Sequence, residues 1–165
     1  MNGWEQHYQE KSFLYQCKDR FGIQLGETVW EEVNLAFDRL PLASVIDHEI
    51  FCIHGGIPRP LKHMYQTEIQ AIMALPNVVS IMPPYDYELD WMKQVGTDCI
   101  WSDPASEEME QCLNEDGFGD SPRGGGAVCF GNQAIENFLS SNNLSYIIRA
   151  HEAHAYGVAL SKGAR

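Results

Sequence analysis

Two histidines in this sequence stand just beyond short apolar segments. His54 follows the apolar run Ile50–Ile53, and His151 lies three residues after the run 146–148. Such runs are typical of buried strands, and strand ends are where a rigid scaffold presents side chains to a cleft. Neutral imidazole is a common ligand of zinc, manganese and iron, and the glycines at 55–56 would let the backbone turn tightly or approach a ligand closely. The pattern makes these two histidines candidate metal ligands.

A structural, hydrogen-bonded role is the alternative for each histidine, since histidine is often partly buried without binding a ligand. Two nitrogen donors also cannot fill the roughly four to six positions of a metal ion, so carboxylates from elsewhere would be needed. The other histidines lie in polar sequence and are predicted to be on the surface, with His154 the least certain because it follows His151 by three residues: His7, His48, His63 and His154.

Arg123 and Asp103 are the other candidate functional residues. Arg123 lies in a glycine-rich stretch, where a guanidinium can hold an oxyanion through two hydrogen bonds and the glycines leave room for a ligand. Its alternative is a solvent-exposed loop arginine. Asp103, in W-S-D-P at 101–104, could place a carboxylate near a cleft. The alternative for that segment is a turn with a packed tryptophan.

The composition excludes several classes of function. The 165 residues include 23 acidic and 11 basic side chains, which gives a formal net charge of −12. Binding to nucleic acid or to an anionic membrane depends on clustered lysine and arginine, so neither is an expected partner. No apolar stretch approaches the roughly 20 residues that span a bilayer, and the first residues lack the basic-then-apolar layout of a signal peptide. We expect a cytoplasmic or nuclear protein.

The cysteines and the acidic run have simple interpretations. The acidic run at 107–110 is predicted to be a solvated face, or else a surface that recruits a basic partner. The five cysteines are widely spaced without a C-x-x-C pair, so reduced thiols are expected rather than a zinc site or disulfides: Cys17, Cys52, Cys99, Cys112 and Cys129.

Apolar spacing predicts a mixed α/β chain. Residues 77–126 carry a weak signal and are predicted to form a long loop. Strands are expected over 42–46 and 50–53 as a hairpin, and over 146–148 and 156–160. Helices are expected over 8–21, ending at Gly22; over 28–40, beginning with a capping box at Thr28; over 67–75, with Ile69, Ile72 and Met73 inward; and over 133–139, stopped by 142–143.

Four ordered segments resemble the second half of the serine/threonine phosphoprotein phosphatase (PPP) family, which contains calcineurin and the type 1 and type 2A phosphatases. They are I-F-C-I-H-G-G at 50–56, W-S-D-P at 101–104, R-G at 123–124 ahead of F-G at 130–131, and I-R-A-H at 148–151. The stretch 13–22 is similar to the helix after the family's G-N-H-E motif, and 40–43 to the approach to its H-G-G strand. The resemblance covers nearly the whole chain.

The resemblance implies a calcineurin-like metallophosphoesterase fold, a β-sandwich flanked by helices, of which residues 1–165 would form part. It implies phosphoserine and phosphothreonine proteins as substrates, hydrolysed by water that two divalent ions, manganese, iron or zinc, activate. His54 and His151 would be ligands of one ion. Arg123 would hold the phosphate oxygens, with Asp103 supporting it at the cleft edge. Regulatory subunits would be further partners.

Three motifs of the family have no counterpart in the chain: G-D-x-H-G, G-D-x-V-D-R-G and G-N-H-E. In the family they carry the remaining metal ligands, a phosphate-binding arginine and the histidine that protonates the leaving alcohol. The strand and the tyrosine-bearing loop that follow R-A-H are missing as well. We expect the chain to be the C-terminal portion of a catalytic domain that holds metal weakly, is inactive alone and self-associates through exposed sheet edges.

Two other hypotheses stay open at this point. One is a non-catalytic module that binds phosphopeptides through Arg123. The other is a metallophosphoesterase acting on nucleotides or small esters, which would share the H-G-G motif. The helix at 13–22 and the W-S-D-P segment favour the protein phosphatase.

Overall fold

The computed structural model describes residues 12–61, 64, 67–76 and 91–160. The chain divides into two compact units, Met1–Leu40 and Pro41–Arg165. Within the described residues, no helix is both long enough and apolar enough to cross a membrane. All four candidate functional residues belong to the second unit.

The described part of the first unit holds two helices, α1 (Phe13–Phe21) and α2 (Ile23–Phe37). Ser12 caps α1, since its Oγ accepts a hydrogen bond from the Tyr15 N–H at 3.1 Å. The predicted end at Gly22 is confirmed, whereas the predicted beginning at residue 8 lies outside the described residues. The rings of Phe13 and Phe37 lie 6.5 Å apart and join the start of α1 to the end of α2.

The predicted beginning of the second helix at Thr28 is wrong. Gly22 already caps α2, and Thr28 lies inside the helix. The Thr28 hydroxyl donates to the Gln24 carbonyl, one turn earlier, at 3.3 Å. Threonine makes this bond in helix interiors as readily as it caps them, so the T-x-x-E spacing alone does not mark a helix start.

Over its described residues, the second unit shows two sheets, three α-helices and a short 3₁₀ helix. In chain order its elements are β1 (Ala43–Ile46), β2 (Ile50–Ile53), α3 (Glu68–Met73), α4 (Trp91–Trp101), β3 (Asp103–Pro104), the 3₁₀ helix Met109–Cys112, β4 (Phe118–Asp120), β5 (Val128–Phe130), α5 (Asn132–Asn142) and β6 (Tyr146–Arg149).

The first sheet has the strand order β1-β2-β6. Antiparallel pairing of β1 with β2 confirms the predicted hairpin, and β6 confirms the strand predicted at 146–148. β6 runs parallel to β2, with Ile53 opposite Arg149. Because the two strands end at the same level, the residues that follow them emerge at one edge of the sheet.

The second sheet has the order β3-β5-β4, with β3 parallel and β4 antiparallel to β5. Asp103 begins β3, and the turn that joins β4 to β5 carries Arg123. One buried apolar cluster takes side chains from both sheets and from α5; the rings of Phe51 in β2 and Phe138 in α5 lie 4.8 Å apart.

The prediction of a long loop over 77–126 is wrong for its described part, which contains α4, β3 and β4. Five consecutive residues of α4, 95–99, are buried. A helix that is buried on all sides lacks the apolar stripe by which amphipathic helices are found, which explains why the spacing did not predict it. Residues 77–90 lie outside the described residues.

The predictions for the remaining short elements are partly confirmed and partly wrong. α3 and α5 confirm the short helices expected at 67–75 and 133–139, and Asn143 ends α5 in a left-handed conformation with φ +54°. Met73, expected inward, is 80% exposed, because α3 ends there and buries Ala71 instead. The strand expected at 156–160 is absent from this described segment, which is exposed and makes no sheet pairing.

Candidate metal and phosphate site

The parallel pairing of β2 and β6 brings His54 and His151 together. Nε2 of His54 lies 3.1 Å from Nδ1 of His151, although the residues are 97 positions apart. The Ala150 N–H also donates to the His54 carbonyl at 3.1 Å, so the backbone contact continues past the strand ends. His154 is exposed, as is His48, while His7 and His63 lie outside the described residues.

The separation of the two ring nitrogens fits a shared metal ion. Nitrogen donors bound at about 2.0–2.1 Å to one ion, at a right angle to each other, lie about 3 Å apart. A direct hydrogen bond between two neutral rings has the same length, with the donor set by the tautomers. The other ring nitrogen of His151, Nε2, is buried without a hydrogen-bond partner among the described residues. It lies 3.9 Å from the carboxylate oxygen Oδ1 of Asp103.

The environment of His151 favours the neutral ring that a metal requires. Burial lowers the pKa of His151; Asp103 opposes this shift, while Arg123, His54 and Arg149 add to it. The backbone of His151 has φ +64°, an uncommon conformation for a residue other than glycine. Such conformations persist where the surroundings impose them, often at functional sites.

Trp101 also contacts this ring. Its side chain lies edge-on to the imidazole of His151, with ring centroids 5.4 Å apart. The tryptophan of W-S-D-P is therefore packed, against a candidate ligand. The turn expected for that segment is wrong, because Trp101 ends α4 and Asp103–Pro104 form β3.

Within the described part of the chain, no cluster of three or more histidine, cysteine or carboxylate side chains could hold a metal ion. His54 and His151 therefore fit one edge of a metal site as two neutral donors. A complete coordination sphere needs oxygen or nitrogen donors beyond these two.

Asp103 and Arg123 form an ion pair beside the histidines. Nε of Arg123 donates to Oδ2 of Asp103. The side chain of Arg123 is 41% exposed, and among the described residues no acceptor takes a hydrogen bond from its Nη groups. Within the described part of the chain, those groups are available to bind an oxyanion while Nε holds the guanidinium in place.

The glycines at 55–56 were expected to allow a tight turn or the close approach of a ligand, and the structure shows close contacts with other parts of the protein. A Cβ on Gly55 would lie 2.5 Å from the backbone of Ile100, and one on Gly56 would collide with the ring of Phe130. The close approach is thus to protein rather than to a ligand. The Gly55 N–H donates to the carbonyl of Cys99 at 2.8 Å, which ties the loop after β2 to α4.

A buried ion pair that the sequence analysis did not single out fixes the same loop. The carboxylate of Asp98, in α4, is fully buried and accepts hydrogen bonds from the N–H, Nε and Nη2 of Arg59 at 2.9–3.0 Å. Burial raises the pKa of Asp98, and the hydrogen bonds and charge of Arg59 oppose that rise. Because the partners are 39 positions apart, no local spacing could have indicated them.

Two further observations concern the surroundings of the site. A cavity of about 320 Å³ opens beside His54 and is lined by residues 41–44, 52–54 and 148–150. Glu110, in the acidic run expected to be solvated, accepts a hydrogen bond from the Asn132 N–H at 3.1 Å. Its carboxylate therefore helps to cap α5.

The family model of calcineurin-like phosphoesterases matches residues 5–155, and the chain belongs to that family. Serine/threonine phosphatases are among its homologues and cover most of its length.

Two relatives and one solved structure show how far the similarity extends. The chain is 34% identical over 140 residues to the serine/threonine-protein phosphatase BSL2 of Arabidopsis thaliana, covering 85% of this chain and 12% of that protein. It is 31% identical over 149 residues to a putative serine/threonine-protein phosphatase of Schizosaccharomyces pombe, covering 90% of this chain and 40% of that protein.

The solved structure is a Saccharomyces cerevisiae protein serine/threonine phosphatase with similarity to human phosphatase PP5. It matches with a TM-score of 0.68 and 24% identity, over 92% of this chain and 39% of the other. The chain therefore has the fold of part of such a phosphatase, and it spans less than half the length of these three proteins.

Proposed function

We propose that this chain is the C-terminal portion of the catalytic domain of a metal-dependent serine/threonine protein phosphatase. The observation that carries the proposal is the 3.1 Å separation of the His54 and His151 nitrogens. Family membership and two phosphatase relatives above 30% identity support it. The domain would also require the G-D-x-H-G, G-D-x-V-D-R-G and G-N-H-E motifs, which this chain does not contain.

The neutral residues of the site would bind metal, and the charged residues would serve to bind phosphate. His54 and His151 bind one of two divalent ions, which would be manganese, iron or zinc. When bound, the ions supply positive charge that lowers the pKa of a water nucleophile. Arg123 holds the phosphate oxygens through its Nη groups, and Asp103 keeps the guanidinium oriented through its Nε. The neutral ring of His151 needs no proton loss before it binds a metal ion.

The substrates proposed are proteins that carry phosphoserine or phosphothreonine, and regulatory subunits would select among them. The names of the Arabidopsis and S. pombe relatives support this class of substrate over nucleotides or small esters. The five cysteines are free thiols, which supports a reducing compartment, cytoplasm or nucleus.

The 165-residue chain alone is proposed to have negligible activity, because two neutral imidazoles neutralise none of the charge of two divalent ions. Hydrolysis of a chromogenic phosphate ester with added Mn²⁺ tests this. Turnover that both His54→Ala and His151→Ala abolish would overturn it. The complete reading frame that contains the chain should hydrolyse phosphothreonine peptides, and its failure to do so would contradict the phosphatase assignment.

A second candidate function is a non-catalytic module that binds phosphopeptides through Arg123. Two observations favour it: the side chain of Arg123 is exposed, and its ion pair with Asp103 is made through Nε rather than through the Nη groups. Binding of a phosphothreonine peptide to the chain, measured calorimetrically with and without a chelator, separates the two. Tight binding that the chelator leaves unchanged, together with an inactive complete reading frame, would favour the module.

Self-association is also proposed, because β1 and β6 are the edges of the first sheet. Ile46 and Ile148 are 47% and 56% exposed there, and unpaired strand edges with apolar side chains favour pairing between chains. A sedimentation experiment should show dimers or larger species at micromolar concentration, and a monomer over that range would contradict this.

A further inference from the structure

Arg149 is the most connected side chain of the site. It ends β6, and its side chain is 14% exposed. Its Nε donates to the carbonyl of Gly55, and its Nη1 to the carboxylate of Glu152. Its Nη2 donates to Oδ1 of Asp103 at 2.8 Å and lies 3.4 Å from the carbonyl of Ser102. One guanidinium therefore joins three segments of the chain that are distant in sequence.

Two of these acceptors adjoin the candidate metal ligands. Gly55 directly follows His54, and Glu152 directly follows His151. Strand pairing and the bond from Ala150 to His54 bring the two segments together. Among the described residues the backbone ladder ends with that bond, and Arg149 then supplies side-chain hydrogen bonds to both segments.

A third acceptor belongs to the candidate phosphate-binding pair. Asp103 receives Arg149 on Oδ1 and Arg123 on Oδ2, so the carboxylate is held from both sides. Its side chain is only 15% exposed. With one oxygen anchored by the more buried arginine, the carboxylate has little freedom to rotate, and the direction of the Arg123 guanidinium follows from it.

We infer that Arg149 is a positioning residue: its guanidinium sets the geometry of the His54–His151 pair and the orientation of Asp103 toward Arg123. The inference rests on the proposed function, because binding of metal by the histidines and of phosphate by Arg123 is what gives this geometry its importance. Arg149 itself touches neither metal nor phosphate in this account. It acts through the loop after β2, the segment after β6 and Asp103.

Arg149→Lys separates the forked geometry from the charge. Lysine keeps a cation near Asp103 but presents its donors from a single atom, so it cannot serve three segments at once. The measurement is a ¹⁵N NMR spectrum of the imidazole nitrogens of the metal-free 165-residue chain, followed by titration with Zn²⁺. We expect altered shifts at His54 and His151 and roughly a tenfold or greater loss of Zn²⁺ affinity, the effect typical of residues that support metal ligands.

Arg59→Lys is the matched control. It also replaces an arginine that holds a carboxylate through several bonds, but its partner is Asp98 in α4 rather than Asp103 or a residue next to either histidine. The control should lower the melting temperature while it leaves the imidazole signals of His54 and His151 in place. Loss of stability alone therefore cannot mimic the expected result.

The outcomes distinguish this inference from the proposed function. Wild-type imidazole shifts and Zn²⁺ affinity in folded Arg149→Lys would overturn the inference. If that variant does not fold, Arg149→Met is measured in the same way; if neither folds, Arg149 serves folding itself and the positioning role is overturned. If wild type shows no Zn²⁺ response at either ring, the metal assignment fails, and the metal-free spectra still decide whether Arg149 positions the pair.

Discussion

The two sheets of the second unit place their functional side chains by different means. In the first sheet, His54 and His151 meet because β2 and β6 run parallel and end together. In the second, Asp103 and Arg123 meet through an ion pair that reaches from β3 to the turn between β4 and β5. Strand pairing thus brings the neutral donors together, and an ion pair brings the charged groups together.

The difference matters because the two kinds of support respond to different perturbations. Backbone pairing depends on packing and is little affected by salt, whereas a partly exposed ion pair weakens as salt screens it. α4 connects the two sheets, since its Cys99 carbonyl accepts from the loop after β2 and β3 begins two residues after the helix ends. Changes that shift α4 itself, or that remove Arg149, whose guanidinium bonds to both the loop after β2 and Asp103, should disturb both pairs. Other changes within one sheet should disturb one pair.

The largest effect is expected from breaking the ion pair between α4 and the loop after β2. Arg59→Met leaves the buried Asp98 carboxylate without its cation and should cost about 3–5 kcal/mol of unfolding free energy at pH 7. Urea denaturation measures this. A cost under 1 kcal/mol would contradict the role given to α4.

The same variant should show a defined pH dependence. Burial raises the pKa of Asp98, so without Arg59 the folded state keeps a proton that the unfolded state releases above about pH 4. The stability of Arg59→Met should therefore fall as the pH rises from about 4 toward the raised pKa of the folded state. A variant that becomes more stable over that range, relative to wild type, would contradict this sign.

A smaller loss is expected where the loop of the first sheet meets the second sheet. In Gly56→Ala the new Cβ would collide with the ring of Phe130 in β5 and lie 2.7 Å from Oγ of Ser102, which should cost about 2–3 kcal/mol. Gly124→Ala is the control, because Gly124 has φ +69° but no atom within 4 Å of the new Cβ. It should cost only about 1 kcal/mol, from backbone strain. Equal melting temperatures for the two variants would contradict the claim that close packing at Gly56 excludes a side chain.

The smallest effect on stability is expected from Arg123→Ala. Because this side chain is 41% exposed, the loss should stay below about 1 kcal/mol and should shrink in high salt. Binding of inorganic phosphate should disappear, while the Zn²⁺ response of His54 and His151 stays as in wild type. If the response of the rings changes as well, the two pairs are not supported independently.

The parts of the fold that the sequence predicted are those with local signals. The hairpin of β1 and β2, the strand before His151 and the helix α5 each carry apolar runs or spacing of their own, bounded by polar or turn residues. The two histidines were found because they follow such strands. The resemblance to the family implied that they bind one ion. The parallel pairing of β2 with β6, which brings them together, was not predicted, because it has no local signal.

The parts that the sequence did not predict depend on distant partners. α4 was missed because residues 95–99 are all buried and leave no polar face. Arg149 and Asp98 were not singled out because their partners are distant in sequence. Arg149 binds Asp103, 46 positions away, and Asp98 binds Arg59, 39 positions away. A charged residue in an apolar stretch, such as Asp98 between Thr97 and Cys99, was the available signal, since buried charges are nearly always paired.

Anomalous scattering from crystals of the chain soaked in Mn²⁺ or Zn²⁺ tests the central claim most directly. The account predicts one peak within bonding distance, about 2.0–2.3 Å, of both Nε2 of His54 and Nδ1 of His151. A peak bound to only one of these rings, or two rings that turn away from each other, would contradict it.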